Sequence, residues 1–424
     1  MDILPCDRTE DRVMNLSPVE ESLFRAFEGF EIVDAHEHIP PEEVRLKHSV
    51  DVFTLFSHYT REDLFAAGMP REDWERIHDS MIPLEKRWEM FAPYLKHIRY
   101  GTYARPAFTA AEEFYGFDDI NEGNYKTLSE RMAAANTKGI YHRILREKCR
   151  IRVALTQSNR IDYDLDLLIP LMPLDNYAAV RSKKSVEESA TDLAGKVKTM
   201  DDYLQLVRKG LEVWKSQGVV GIKMASRPYG EPNPSQARAL FEKLMLSEQK
   251  ELPQMNSLYS FLMEEMLDMA AELNLVVAVH TGMWGDFRTL DPQHMIPILS
   301  RHPKTKFDIY HLGIPYVREA MIIGKNFPNV WLNLCSCHII SQRITCSALD
   351  ELVDLVPINK IIAFGGDYHI PIEKVYGHLV MAREDIARVL GRRIQDGLMT
   401  ENEAVDIAKM WFHDNPKQLY RLKS

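Results

Sequence analysis

The chain has 424 residues, 45% hydrophobic and 27% charged, with a formal net charge of −10 at pH 7. These are the proportions of an ordinary globular protein, and the negative balance argues against nucleic acid or an anionic membrane surface as a partner. No apolar run approaches the roughly 20 residues of a membrane span, Met1 to Glu20 lack the apolar core of a secretory signal, and five cysteines (Cys6, Cys149, Cys335, Cys337 and Cys346) fit a reduced, cytoplasmic protein.

Residues 1–30 read as an N-terminal arm, and residues 31–424 as one folded body. The first strand-like run, 31–36, leads into His36-Glu37-His38. Residues i and i+2 of a strand face the same way, so both imidazoles project together from one strand end. Two converging neutral imidazoles are the start of a transition-metal site. Residues 41–147 read mostly as helix, opened by Pro40-Pro41 and stopped near Pro70, Pro83, Pro93 and Pro106. An insertion after a barrel strand sits above the face that carries the active site, so this segment is expected to be a helical cap. Arg99 and Tyr103 are its candidates for substrate contact.

Seven further strand candidates follow: 151–156, 165–171, 219–225, 275–280, 306–311, 329–334 and 360–366. Several are nearly continuous apolar runs, the mark of strands buried on both faces of a parallel sheet. Amphipathic segments at 201–216, 254–273, 316–326 and 347–356 fill gaps between them, and 373–423 reads as two closing helices. Alternating strands and helices imply right-handed crossovers, and eight strands make a (β/α)8 TIM barrel. The rival, an open doubly wound sheet, lacks a Gly-x-Gly-x-x-Gly after the first strand.

Three later runs also end in ligand-type residues: His280, His311 and Asp367. In a closed barrel these ends share one rim with His36 and His38. Nitrogen and oxygen ligands with a position left open describe a catalytic metal site, where bound water reaches a pKa of about 7. Lys223 ends the fourth run, Arg227 follows it, and Trp284 and Arg288 follow the fifth. They are candidate substrate contacts, and arginine suits bidentate capture of a carboxylate. Cys335-Ser336-Cys337-His338 reads as pocket lining or plain packing, and Tyr368 and His369 as lining or loop residues.

With VDAHEH, VAVHTG, IYHLG and FGGDYH at four strand ends, the chain resembles the amidohydrolase superfamily from residue 31 onward. That resemblance implies one divalent metal, zinc first and manganese, iron or nickel as alternatives, held by His36, His38, His280 and Asp367. It implies that Asp367 takes a proton from the attacking water, and that His311 is a ligand or acts on the substrate. The cap segment RWEMFAPYLKHIRYGTYARPAF is similar to that of the uronate isomerases of the same superfamily. Their arginine- and asparagine-rich run after the fifth strand's histidine is replaced here by TGMWGDFR. The leading expectation is therefore a hydrolase cleaving a C–N or C–O bond of a small, carboxylate-bearing substrate. A uronate isomerase-like aldose–ketose isomerase or a metal-dependent decarboxylase is the alternative. A metal-binding barrel without activity is a further one. A homo-oligomer is expected.

Overall fold

The computed structural model describes residues 16–246 and 251–423, so half of the expected N-terminal arm lies outside the described residues; the other half is a helix, Pro18–Glu28. Eight strands form one sheet in chain order: β1 (Ile32–Glu37), β2 (Ile151–Gln157), β3 (Leu168–Pro173), β4 (Gly221–Ala225), β5 (Val276–His280), β6 (Phe307–Ile309), β7 (Val330–Asn333) and β8 (Ile361–Ile362). All are parallel, and the amide of Ala35 donates to the Phe364 carbonyl (3.0 Å), just beyond β8. This is the (β/α)8 barrel, with an all-helical insertion after β1. The chain forms two compact units. One takes the chain up to Ala154 with Ser336–Asp350 and Phe364–His413; the other takes Leu155–Cys335, Glu351–Ala363 and the chain from Asp414.

In the first unit every residue of β1 is buried. The insertion has an apolar core of its own, in which Phe53, Phe56, Phe91, Leu128 and Met132 are all fully buried. Its prolines act differently from the sequence reading. Pro70 and Pro83 each precede a helix and Pro106 lies in the first turn of another, where the missing N–H costs nothing. Pro93 lies inside the helix Leu84–Ile98 without ending it. The helix Glu373–Gln395 is buried along most of its length. It meets the insertion helix Arg105–Tyr115 so closely that a Cβ on Gly377 would lie 2.7 Å from the Pro106 backbone. A buried ion pair fastens the same region. Arg45 grips both oxygens of Glu373 (2.9 and 2.7 Å), and the Tyr115 hydroxyl donates to Glu373 (2.6 Å).

In the second unit β3 to β7 pair in parallel register, for example Lys223 with Ala278 and Val279 with Ile309. Two departures from the sequence reading stand out. The chain passes from β2 to β3 through residues 158–167 without a helix. β6 stops at Ile309 because His311 and Leu312 take left-handed backbone angles (φ 62° and 47°), so His311 sits on a turn beyond the strand. β8 is also shorter than expected. The chain beyond it makes single backbone bonds, Gly365 accepting from Ser336 (2.9 Å) and Phe364 from Ala35.

Inside the second unit Asp308 is fully buried. One oxygen accepts from Asn333 (3.0 Å) and from the Tyr420 hydroxyl (2.7 Å). Loss of water pushes its pKa up from 3.8 to about 7. The folded protein therefore keeps a proton that the unfolded chain has shed above pH 4.

Two outcomes follow from these buried charges. Glu373→Ala leaves the Arg45 guanidinium buried and uncompensated, and should cost about 3–5 kcal/mol in urea unfolding. For Asp308, stability is fullest below the unfolded pKa and falls as pH rises from about 4 to about 7. Asp308→Asn should flatten that slope in unfolding midpoints measured across the window.

Candidate metal centre

The alternation of β1 puts His36 and His38 on one side, their ring centroids 4.9 Å apart. Asp367 enters between them. Its Oδ1 lies 3.1 Å from His36 Nε2 and 3.3 Å from His38 Nε2. One ligand atom from each of the three residues falls within 4.8 Å of the others, a group that can hold a metal ion. His36 and Asp367 are buried and the His38 side chain is 30% exposed, so the cluster opens on the His38 side.

Backbone bonds set this arrangement. The Asp367 amide donates to the His36 carbonyl and the His38 amide to the Tyr368 carbonyl, both at 2.9 Å. Asp367 itself is left-handed (φ 62°), a conformation that aspartate tolerates better than most residues. Gly366 is required by crowding: a Cβ there would stand 2.0 Å from Glu37 Oε1. Glu37 points inward, away from the two histidines that flank it, and accepts from the Tyr368 amide (2.6 Å). Asp34 accepts from the Gly366 amide (3.2 Å). Burial raises the pKa of both acids, Asp34 to about 7 and Glu37 well above its usual value, and the charge on Asp34 adds to the rise of Glu37.

The donor set fits a divalent cation. Two imidazole nitrogens and one carboxylate oxygen are the ligands that zinc and its neighbours take. The charge on Asp367 also raises the proton affinity of both Asp34 and Glu37. A cation held by His36, His38 and Asp367 offsets that repulsion.

In the second unit His280 ends β5, and its Nδ1 lies 3.0 Å from His311 Nε2. His311 Nδ1 lies 3.1 Å from the Cys335 carbonyl. A carbonyl only accepts, so the hydrogen of a neutral His311 sits on Nδ1 and its Nε2 is an acceptor. His280 Nε2 in turn faces the Met283 carbonyl (3.4 Å).

The remaining candidates are distributed as follows. Lys223 is buried in β4, bonded to Gln157 Oε1 (3.1 Å), with its ammonium 4.3 Å from the Tyr310 ring centre. Arg227 and Trp284 are half-buried beyond β4 and β5. Arg288 is 79% exposed and paired with its neighbour Asp286 (2.7 Å). Arg99 pairs with Asp119 and lies over the Phe108 ring. Tyr103 is buried, with Asp367 among the charges that raise its pKa. His58 and Lys374 were missed by sequence reasoning, and Tyr368 was set aside. His58 packs 6.4 Å from the His38 ring and 6.3 Å from the Tyr368 ring, on a left-handed backbone (φ 65°). For Lys374 a signal did exist. Lys374, His378 and Asp385 fall on one stripe of the helix Glu373–Gln395, and all three are buried.

An amidohydrolase family model (Amidohydro_2) matches residues 197–422, more than half of the chain. The chain belongs to that family. It is similar to the protein fluG of Emericella nidulans, 27% identical over 153 residues, which are 35% of this chain and 18% of that protein. It is also similar to the uronate isomerase of Thermotoga maritima, 24% identical over 272 residues, 56% of this chain and 57% of that enzyme. Each match thus spans less than two thirds of the relative. The crystal structure of the uronate isomerase from Thermotoga maritima superposes with a TM-score of 0.80 at 18% identity, covering 96% of this chain and all of that one. That likeness shows a shared fold. Among the described residues no helix is long and apolar enough to cross a membrane.

If His36, His38 and Asp367 hold an ion, adding Zn²⁺ to chelator-stripped protein should raise the melting temperature with a concentration dependence set by mass action. His38→Ala should bind metal at least about tenfold more weakly, as read by calorimetric titration. An unchanged affinity would remove the centre from these residues.

Proposed function

We propose that this chain is a metal-dependent isomerase that interconverts the aldose and ketose forms of a small sugar acid of the uronate class. What carries the reading is the His36–His38–Asp367 cluster on a chain whose curated relatives include uronate isomerases. Hydrolysis was the leading expectation from sequence, and the comparisons favour its alternative. The same ligands serve both reactions, so the relatives decide the order.

His36, His38 and Asp367 hold the ion, zinc first among divalent metals. The ion, when bound, polarises a carbonyl and its neighbouring hydroxyl. Isomerisation moves one proton between adjacent carbons and another between their oxygens. Asp367, buried among the ligands, accepts the oxygen-borne proton and returns it. His311 is held by the Cys335 carbonyl and is bonded to His280. The helical insertion acts as a cap that excludes bulk water and so strengthens these interactions.

A second reading, hydrolysis of a C–N or C–O bond, is favoured by the match to the amidohydrolase model. One experiment separates the two. The zinc-loaded protein, incubated with a hexuronate in deuterated water, should form the ketose with deuterium on the carbon beside the new carbonyl, read by proton NMR. Asp367→Asn should lower the rate by at least about a hundredfold. Absence of ketose, together with ¹⁸O from water entering the product of an amide or lactone substrate, would overturn isomerisation in favour of hydrolysis.

A further inference from the structure

Lys374 is 1% exposed. Its ammonium has two long contacts, to Thr60 Oγ1 (3.3 Å) and the Tyr103 carbonyl (3.4 Å). No carboxylate among the described residues lies within salt-bridge distance of it, and Asp63 acts on it only from further away. A buried ammonium without a counter-charge is expensive, and proteins keep one where something else supplies the charge. The cost shows in the low proton affinity of this lysine, depressed by burial to about 7.

The neighbourhood is unsatisfied in the same way. The ammonium lies 5.3 Å from the centre of the Tyr368 ring. The Tyr368 hydroxyl is buried with no hydrogen-bond partner, and so is Nδ1 of His58. Tyr368 directly follows Asp367, and the His58 ring packs between the rings of His38 and Tyr368. The metal-ligating end and the lysine are therefore joined, within one unit, by groups that can bond to hydroxyls. His58 is held on a left-handed backbone, which for a non-glycine residue is strain of the kind kept at functional sites. A chain of hydroxyls ending in a carboxylate would satisfy all three groups at once.

We propose that Lys374 is the counter-charge for the carboxylate of the substrate, with Tyr368 and His58 bonding the hydroxyls between that carboxylate and the metal. This rests on the isomerase reading for the substrate class, and it makes Lys374 the residue that selects a sugar acid over the neutral sugar. Neither Arg288, which is exposed and paired, nor Arg99, which is paired with Asp119, has that vacancy.

The test is calorimetric binding of glucuronate and of glucose to the zinc-loaded protein, for the wild type, Lys374→Met and Lys374→Arg. The wild type should prefer the acid by roughly tenfold or more. Lys374→Met should lose that preference through weaker binding of glucuronate alone, with glucose unchanged, and Lys374→Arg should keep part of it. Methionine removes a buried charge and should not lower the melting temperature; should it fail to fold, the wild-type preference and the arginine variant still decide. A wild type that binds both sugars equally, or a methionine variant that still prefers the acid, overturns the proposal. Lysine-dependent binding of glucuronate with no ketose formed would leave this assignment standing and reject the isomerase reading.

Discussion

The structure depends on holding one buried carboxylate against two imidazoles. Asp367 is out of water, where a carboxylate is costly unless partners lie close to it. It stays useful because β1 and the 364–368 segment are stitched by alternating backbone bonds. Ala35 donates to Phe364, Asp367 to His36, and His38 to Tyr368. Each bond fixes the position of a ligand on the opposite segment. A shift of one residue in that pairing would turn the histidines away and bring Glu37 to the cluster.

The acids behind the cluster fit this picture. Of these acids, Asp34 and Glu37, only Glu37 alternates with the histidines along β1 and projects the other way, whereas Asp34 shares their parity. Their carboxyls accept from the amides of Gly366 and Tyr368, the residues on either side of Asp367. They thereby set its unusual backbone angle from both flanks. Gly366 is the concession the sequence makes, because the space a side chain would need is filled by Glu37.

Much of this was legible in the sequence, for a physical reason. Strands buried on both faces must be apolar throughout, so β2, β4 and β5 announce themselves. A period of two places His36 and His38 together whatever surrounds them. Other features depend on contacts that no local pattern carries. Pro93 is tolerated mid-helix, the β2–β3 passage needs no helix, and β6 gives way to a left-handed turn at His311. His58 was invisible because its significance lies in a backbone angle. Lys374 was overlooked because long charged side chains usually reach water, and the stripe it shares with His378 and Asp385 only gains meaning once that helix is known to be enclosed.

Isomerases and hydrolases of one fold can share a metal and its carboxylate, so the ligand set by itself cannot choose the reaction. What differs is the demand on the surrounding groups. A hydrolase must admit a water and release a leaving group. An aldose–ketose isomerase must keep hold of a single substrate along its length while protons shift within it. The contacts proposed for the groups beside this cluster are of the second kind. A hydroxyl at Tyr368, a ring nitrogen at His58 and an ammonium at Lys374 are all spaced away from the metal ligands, and none is spent on the protein itself except for the two long contacts of the lysine. Unspent polar groups in a buried place raise the free energy of the empty protein, and a ligand that satisfies them recovers that cost as affinity and as selectivity against any analogue lacking the matching group.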